Sequence, residues 1–470
     1  MKEAVSQQPL FLYSNSSKIL MLKYQTLFVA LLMSSCASMD QTETALKIEL
    51  ITLDPGHFHA ALVQKSMYPD VSSSVHVYAP DGPDVEGHLA KINQYNSREE
   101  SPTSWKTETY KGDDFFEKML AEKAGNVVML AGNNQKKTEY ISQAIENGYN
   151  VFADKPMVIN AGDFELLKNA FATAEEKDLL LYDIMTERFE ISTVLQKALS
   201  QMPSFFGDLE KGTPDNPAVT KESVHHFFKY VSGSPLTRPA WFFDVEQEGE
   251  GIVDVTTHLV DLVQWECFPE QIVDSTDVSI VSAKRWPTVL STDDFNKVTK
   301  LNAYPEYLTN YLNEDQLEVY SNGEINYTIN DVHAKVSVIW NYQAPEGAGD
   351  THYSIMRGTK ANLVIRQGED QGFKPTLYIQ PLDGQNEGDL SMVFEELVKT
   401  YPGVGFEKQG DEFVVLIPDH YKDGHEAHFA RVTENYIEYL KNGSIPKWEV
   451  PNMITKYYTT IKGLEMALKN

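Results

Sequence analysis

Apolar and polar positions follow one pattern in the first part of the chain and another in the rest. Residues 47–53 alternate and then turn apolar, as a buried first strand does. The turn Asp54-Pro55-Gly56-His57-Phe58-His59 follows, and then a helix over 60–67. A second strand, 75–79, ends on Pro80-Asp81-Gly82 and leads into a long polar excursion over 84–111. Helical periodicity then marks 115–123, 136–147 (closed by Gly148) and 164–177, and strands are predicted at 126–131, 149–153 and 179–183. Such alternation of strand and helix predicts an α/β Rossmann-type, doubly wound parallel sheet.

After Asp183 the pattern changes. Helices are predicted at 190–199 and 252–266, with a turn-rich stretch at 205–218, a strand at 224–230 and a loop at 241–251. Strands at 278–283, 316–321, 324–329, 332–342, 351–358, 361–367 and 376–380 follow one another as hairpins do. Helices at 390–400 and 425–442, a strand at 413–417 and a closing helix over 453–470 complete the chain. This second part reads as an α+β domain with an open, mainly antiparallel sheet. The expected organisation is a leader over 1–36, a tether over 37–45, a dinucleotide-binding domain over 46–186 and the α+β domain over 187–470.

Composition narrows the function. A formal charge of -28 on 470 residues repels nucleic acid and anionic lipid. Two cysteines, Cys36 and Cys267, supply neither a disulfide framework nor a cysteine-rich zinc site. The N-terminus changes the picture more. Lys18 and Lys23 precede an apolar run over 27–33, then Ser34-Ser35-Cys36. This resembles a bacterial lipoprotein leader, with Cys36 lipidated as the first mature residue and the folded part anchored in the periplasm or at the outer membrane. The run is too short to span a bilayer, so the membrane is met only through the lipid.

The candidate chemistry gathers at strand ends. The apolar strand ending Val151-Phe152-Ala153 runs into Asp154-Lys155-Pro156, which presents a lysine at a strand's carboxyl end, where open α/β sheets bind ligands. The first strand and its turn, with Gly56, His57 and Phe58, are where a dinucleotide would sit, and Asp81 is spaced to take a ribose hydroxyl. Only Gly56 remains of a glycine fingerprint, and Asp54 there faces a pyrophosphate poorly. Asp254 and His258 stand four apart on a predicted helix and so share a face. Asp261 follows on that face, as a site contact or a solvated or capping carboxylate. Trp241 is either a sugar-stacking platform or a loop anchor. Lys229, His226 and Tyr182 lie near strand ends as candidate substrate contacts. His425 and His428, near Asp419, His420 and Asp423, have loose metal-ligand spacing, so surface and capping roles are expected and no metal site is assigned. For His57 and His59 a phosphate contact or a buried hydrogen bond is expected before zinc.

Together, the segment 126–156 with its Asp-Lys-Pro ending, the stretch Gly251-Ile-Val-Asp254-Val-Thr-Thr-His258-Leu-Val-Asp261, and Gly358-Thr359-Lys360-Ala361-Asn362-Leu363 resemble the Gfo/Idh/MocA oxidoreductases. The resemblance spans nearly all of the chain after the leader. It implies bound NAD or NADP, held at Gly56, His57, Phe58, Asp81, Asn133, Asp154 and Lys155, and a sugar, cyclitol or related polyol as substrate. Lys155, Asp254 and His258 match the family's catalytic lysine, helical aspartate and histidine. In that frame His258 exchanges a proton with a sugar hydroxyl, Lys155 stabilises its oxyanion, and hydride passes to the nicotinamide. Where the family has a glycine-rich first turn, Thr-Pro-Asn and a following histidine, this chain has Asp54-Pro-Gly-His-Phe-His59, Ala131-Gly132-Asn133 and Lys136, so the departures fall on the cofactor side. Alternatives remain: a glycoside hydrolase working by oxidation and elimination, or a carbohydrate-binding relative without catalysis. Pairing into a homodimer or homotetramer is implied by the resemblance alone.

Overall fold

The computed structural model describes residues 47–231, 234–346, 348–382 and 387–469. Cys36, the leader and the tether lie outside them. Among the described residues no helix is long and apolar enough to cross a membrane.

The first part builds a six-stranded parallel sheet from β1 (Leu50–Leu53), β2 (Ser74–Ala79), β3 (Lys106–Lys111), β4 (Val127–Leu130), β5 (Asn150–Asp154) and β6 (Leu181–Ile184). Its order is β3-β2-β1-β4-β5-β6, the doubly wound Rossmann order, with the reversal between β1 and β4. All four residues of β1, of β4 and of β6 are buried, as both-face coverage requires. Around them lie α1 (His59–Leu62), α2 (Pro83–Ser97), α3 (Phe115–Glu122), α4 (Lys137–Glu146) and α5 (Ala161–Glu176).

Two expectations for this part are corrected. The helix expected over 60–67 is a single turn, α1. The polar excursion over 84–111 is in fact α2 followed by the edge strand β3. In α2 only Val85, His88 and Ile92 are buried, and β3 has no fully buried residue, so neither carries a strong hydrophobic period.

The second part begins with α6 (Ile191–Ser200) and is built on a ten-stranded sheet. Its strands are β7 (Val219–Phe228), β10 (Val278–Leu290), β11 (Leu312–Asn313), β12 (Gln316–Ile329), β13 (Val332–Gln343), β14 (Thr351–Arg357), β15 (Ala361–Arg366), β16 (Thr376–Pro381), β17 (Gly405–Gln409) and β18 (Glu412–Leu416). The short pair β8 (Tyr230–Val231) and β9 (Ser234–Pro235) stands apart. The path runs β10-β12-β13-β7-β14-β15-β16-β18-β17, with β11 beside β12. Every pairing is antiparallel except β13 with β7.

Two strands were expected around Asn322-Gly323; the structure has one, β12, carrying a register irregularity against β10. The Asn322 amide donates to the carbonyl of Trp286 and to Thr288 Oγ1, both at 2.9 Å, and its oxygen accepts from Trp340 N at 2.7 Å. Asn322 therefore stitches three strands where its type suggested a turn. A Cβ on Gly323 would come within 2.6 Å of the Ile252 side chain, so the glycine serves close packing.

Helix α7 (Thr256–Cys267) packs against β7 and β13, α8 (Thr292–Thr299) against β7 and β10, and α9 (Glu387–Thr400) contributes Phe394, which packs on Phe406 of β17. Buried Lys221 of β7 pairs with Glu266 of α7 at 2.6 Å. The last two helices turn back to the first sheet. In α10 (His425–Asn442) the Tyr436 ring stacks on Phe152 of β5 at 4.4 Å. Helix α11 (Glu449–Ala467) packs on α5, α7 and β10. There Lys456 and Tyr457 both reach Asp183 at the end of β6.

Candidate active site at the strand ends

Strand β5 delivers Asp154 and then Lys155 to the carboxyl edge of the parallel sheet. The Lys155 ammonium is in hydrogen-bond contact with the Asp254 carboxylate from the second part. Asp254 is 4 % exposed, so each charge needs the other. Burial opposes the lysine's charge, but Asp254, Asp154 and Glu248 outweigh it and raise the Lys155 pKa. Lys155 is therefore an ammonium, a hydrogen-bond donor and not a base, at neutral pH.

Asp254 lies in a tight turn over 251–255, two residues before α7, and not on the helix as expected. Gly251 forces this start: a Cβ there would fall 1.7 Å from the Ser321 carbonyl oxygen, and its own N–H donates to Tyr320 O at 3.1 Å. Thr256 Oγ1 donates back to Gly251 O at 3.0 Å and closes the turn. His258 follows in the first turn of α7. Burial, and then Lys155, hold its pKa well below 6.5, and its Nδ1 is buried without a hydrogen bond. His258 is thus held as a neutral imidazole.

The segment leading into this turn lies across the first sheet. Trp241 Nε1 donates to Asp84 Oδ2 at 2.8 Å, and a Cβ on Gly56 would lie 3.0 Å from the Trp241 ring. Asn134 donates its N–H to Gln247 O at 2.9 Å and its amide to Glu248 O at 2.7 Å. Asn133 donates to Gln247 Oε1 at 2.7 Å. These bonds bring Glu248 beside Asp254. Burial and that neighbour raise the Glu248 pKa well above 4.5. A recess next to the pair is lined by Phe227, Phe242, Trp340, Ser321, Glu248 and Asp254. Buried Arg238 backs it, donating to the carbonyls of Phe227 and His226, each at 3.1 Å, with its guanidinium 4.4 Å from the Phe242 ring centroid.

The crevice at the β1/β4 reversal is lined by Asp54, Ala131, Gly132 and Asn133. A Cβ on Gly132 would meet Asp54 O at 2.1 Å, so its floor excludes side chains. Asp81, exposed just beyond β2, lies 3.5 Å from the Lys111 ammonium. The crevice lies at the reversal of strand order, where doubly wound sheets take a dinucleotide. Its pyrophosphate end differs from a glycine-rich turn: the N–H groups of Gly56 and His57 donate to Ala131 O at 3.2 and 3.1 Å. Burial, with Asp84 beside it, raises the Asp54 pKa to about 6, which lessens the charge a phosphate would meet there.

Other expected residues take different roles. Asp154 accepts His59 Nδ1 at 2.8 Å on Oδ2 and its neighbour's N–H, Lys155 N, at 3.0 Å on Oδ1. The His57 side chain turns toward Asp154, with Nδ1 3.5 Å from Oδ2, and its ring lies 4.5 Å from the Phe58 ring. Tyr182 is a core residue, 5 % exposed, packed on Tyr436 and 3.4 Å from Glu449 Oε1; α10 covers it, which corrects the expectation of a substrate contact. Asp261 is neither solvated nor a cap: Arg188 grips it at 2.7 Å twice and Lys456 approaches at 3.0 Å. Lys229 contacts Asp350, which also accepts from His225 Nδ1 at 3.0 Å. Asp423 and Asp419 pair with Arg431 and Lys422, and His425 leaves them to stack on His59 at 5.0 Å. The sequence reading missed Glu248, Arg238 and Lys137, whose ammonium donates to Asp154 O at 3.1 Å. Nothing in their local pattern separates them from surface charges.

Residues 56–182 match the family described as "Oxidoreductase family, NAD-binding Rossmann fold", and residues 195–468 match "Putative oxidoreductase C terminal domain". A crystal structure of a "putative oxidoreductase" from Parabacteroides merdae is 55% identical, with TM-score 0.89, over 90% of this chain and 98% of that one. More distant solved structures share the fold. Levoglucosan dehydrogenase in complex with NADH and L-sorbose is 12% identical over 90% of this chain and 97% of that one, TM-score 0.56. A 3-ketoreductase from Actinomadura kijaniata in complex with NADP and TDP-benzene is 13% identical over 87% of this chain and 95% of that one, TM-score 0.52. No functionally curated protein matches. The chain belongs to the Gfo/Idh/MocA oxidoreductases, a family with an NAD-binding Rossmann domain, here joined to the oxidoreductase C-terminal domain.

Proposed function

We propose that this protein is an NAD(P)-dependent oxidoreductase that acts on a hydroxyl of a sugar or related polyol. The observation that carries the reading is the buried Lys155–Asp254 contact, made between the two parts of the chain beside a recess of three aromatic rings and two carboxyl groups. Aromatic faces and carboxyls are what a sugar's apolar ring faces and hydroxyls require. A bound nicotinamide would accept hydride from the carbinol carbon. Lys155 donates a hydrogen bond to the reacting oxygen and stabilises negative charge there, while Asp254 keeps the ammonium charged and aimed. His258 takes the hydroxyl proton as a neutral base. One distant solved structure of the same fold is a levoglucosan dehydrogenase in complex with NADH and L-sorbose.

Glu248 supports a second reading. A carboxyl group whose pKa is raised by burial beside the site is suited to protonate a leaving glycosidic oxygen, as oxidation–elimination demands. Purified protein is first denatured and its supernatant examined for nucleotide. It is then incubated with NAD or NADP and a panel of sugars, polyols and aryl glycosides. Reduction at 340 nm on free sugars supports the dehydrogenase; aryl release supports the second reading. Absence of both, with no nucleotide bound, refutes both and leaves a carbohydrate-binding relative. Lipidation of Cys36 completes the proposal and places the enzyme at the cell envelope; a palmitate analogue should label the wild type and not Cys36→Ala.

A further inference from the structure

We infer that His57, His59 and Asp154 form a binding site for one divalent transition-metal ion. Three atoms converge there: His57 Nδ1 and His59 Nδ1 lie 3.5 and 2.8 Å from Asp154 Oδ2, and all three lie within 4.8 Å of one another. A metal with bonds of about 2.0–2.2 Å to nitrogen and oxygen sets neighbouring donors about 3.0 Å apart at right angles, or about 3.4 Å apart in a tetrahedron. The two measured separations are close to these values.

A simple hydrogen bond explains only half of the arrangement. His59 Nδ1 at 2.8 Å is an ordinary partner for the carboxylate. His57 Nδ1 is buried and makes no hydrogen bond. A buried polar atom aimed at a carboxylate without bonding it calls for a third participant, and a cation between them supplies it.

The surroundings hold the donors as ligands are held. Lys155 N–H fixes Asp154 Oδ1 at 3.0 Å, which leaves Oδ2 for the imidazoles. The Lys137 ammonium holds the Asp154 carbonyl, and the His425 ring stacks on His59 at 5.0 Å and fixes its plane. The charge of the neighbouring Lys155 ammonium is offset by Asp254. Two nitrogens and one carboxylate suit zinc, cobalt or iron(II) and not magnesium or calcium, which favour all-oxygen sets. Three protein donors leave at least one position open for water or a ligand oxygen. The site does not depend on hydride transfer.

The test uses the full chain, stripped with chelator and titrated with Zn2+ or Co2+ alone, followed by elemental analysis and visible absorption. One ion per chain and a cobalt ligand-field band are expected. His57→Ala, which breaks no hydrogen bond, should keep cooperative unfolding in chelator yet bind at least about 100-fold more weakly, above the roughly 10- to 100-fold typical of changes around the ligands. Asp154→Asn should lose the band. No metal on the wild type, or equal affinity in both variants, overturns the inference. Should His57→Ala fail to fold, His57→Gln is held to the same criterion.

Discussion

Replacing Arg188 by Met should destabilise the fold by an amount that the geometry around it sets. Its guanidinium makes four bonds: 2.7 Å twice to Asp261, and 2.9 and 3.1 Å to Glu449. A second cation of the cluster, Lys456, is shared between Asp183 at 2.7 Å and Asp261 at 3.0 Å. The side chains involved are at most 9% exposed. Removing one partner of such a pair costs about 3–5 kcal/mol, since the remaining charges stay buried. Burial has already raised the Glu449 pKa, so a proton on Glu449 should relieve part of the strain and hold the loss near about 3 kcal/mol. Urea unfolding followed by circular dichroism gives the number, provided the slope is unchanged. The double variant Arg188→Met/Glu449→Gln should recover about 1–2 kcal/mol, a coupling typical of touching residues. A loss under about 1 kcal/mol, the range of exposed pairs, or no recovery in the double variant, would refute the reasoning.

Lys155→Met should lower turnover by about 100- to 1000-fold, as loss of an oxyanion donor does, with the fold intact by circular dichroism; wild-type turnover would remove Lys155 from the chemistry. Gly251→Ala forces a Cβ to 1.7 Å from the Ser321 oxygen and should cost over about 3 kcal/mol, in the range of severe backbone clashes; a thermal midpoint equal to wild type would contradict the packing. His88 is buried with neither ring nitrogen bonded, and burial lowers its pKa from 6.5 to about 4. Between those values the unfolded chain binds a proton that the folded chain refuses, so stability falls as pH drops from 6.5 to 4, by about 3 kcal/mol in all. His88→Leu should flatten that part of the stability–pH curve, and an unchanged slope would sink the assignment.

The parallel sheet was legible because β1, β4, β5 and β6 are short apolar runs separated by helical periods. Edge strand β3 was not, because an edge exposes one side and Lys106-Thr-Glu-Thr-Tyr-Lys111 has no reason to be apolar. Lys155, Asp254 and His258 were found from chemistry at strand and helix ends, and the Lys155–Asp254 contact confirms that two distant segments meet. Asp154 was read as a cofactor contact, whereas its side chain bonds His59, for which a buried hydrogen bond was one of the expected roles. Tyr182 looked like a substrate contact because it ends a strand; what covers it comes from Tyr436 and Tyr439, more than two hundred positions later. Residues such as Glu248 and Arg238 owe their character to burial alone, which periodicity does not report for isolated charges in loops.

The return of α10 and α11 to the first sheet has a consequence for how the chain is made. When the ribosome has released the Rossmann strands, Phe152 and Tyr182 have no cover, and Asp183 has neither Lys456 nor Tyr457. The nucleotide-binding half therefore cannot finish folding in order of synthesis. It waits with an apolar face and a lone buried carboxylate until the last helices emerge, a state in which chaperones hold chains and from which aggregates grow. Late stop codons should for this reason damage the first domain, and not merely shorten the second.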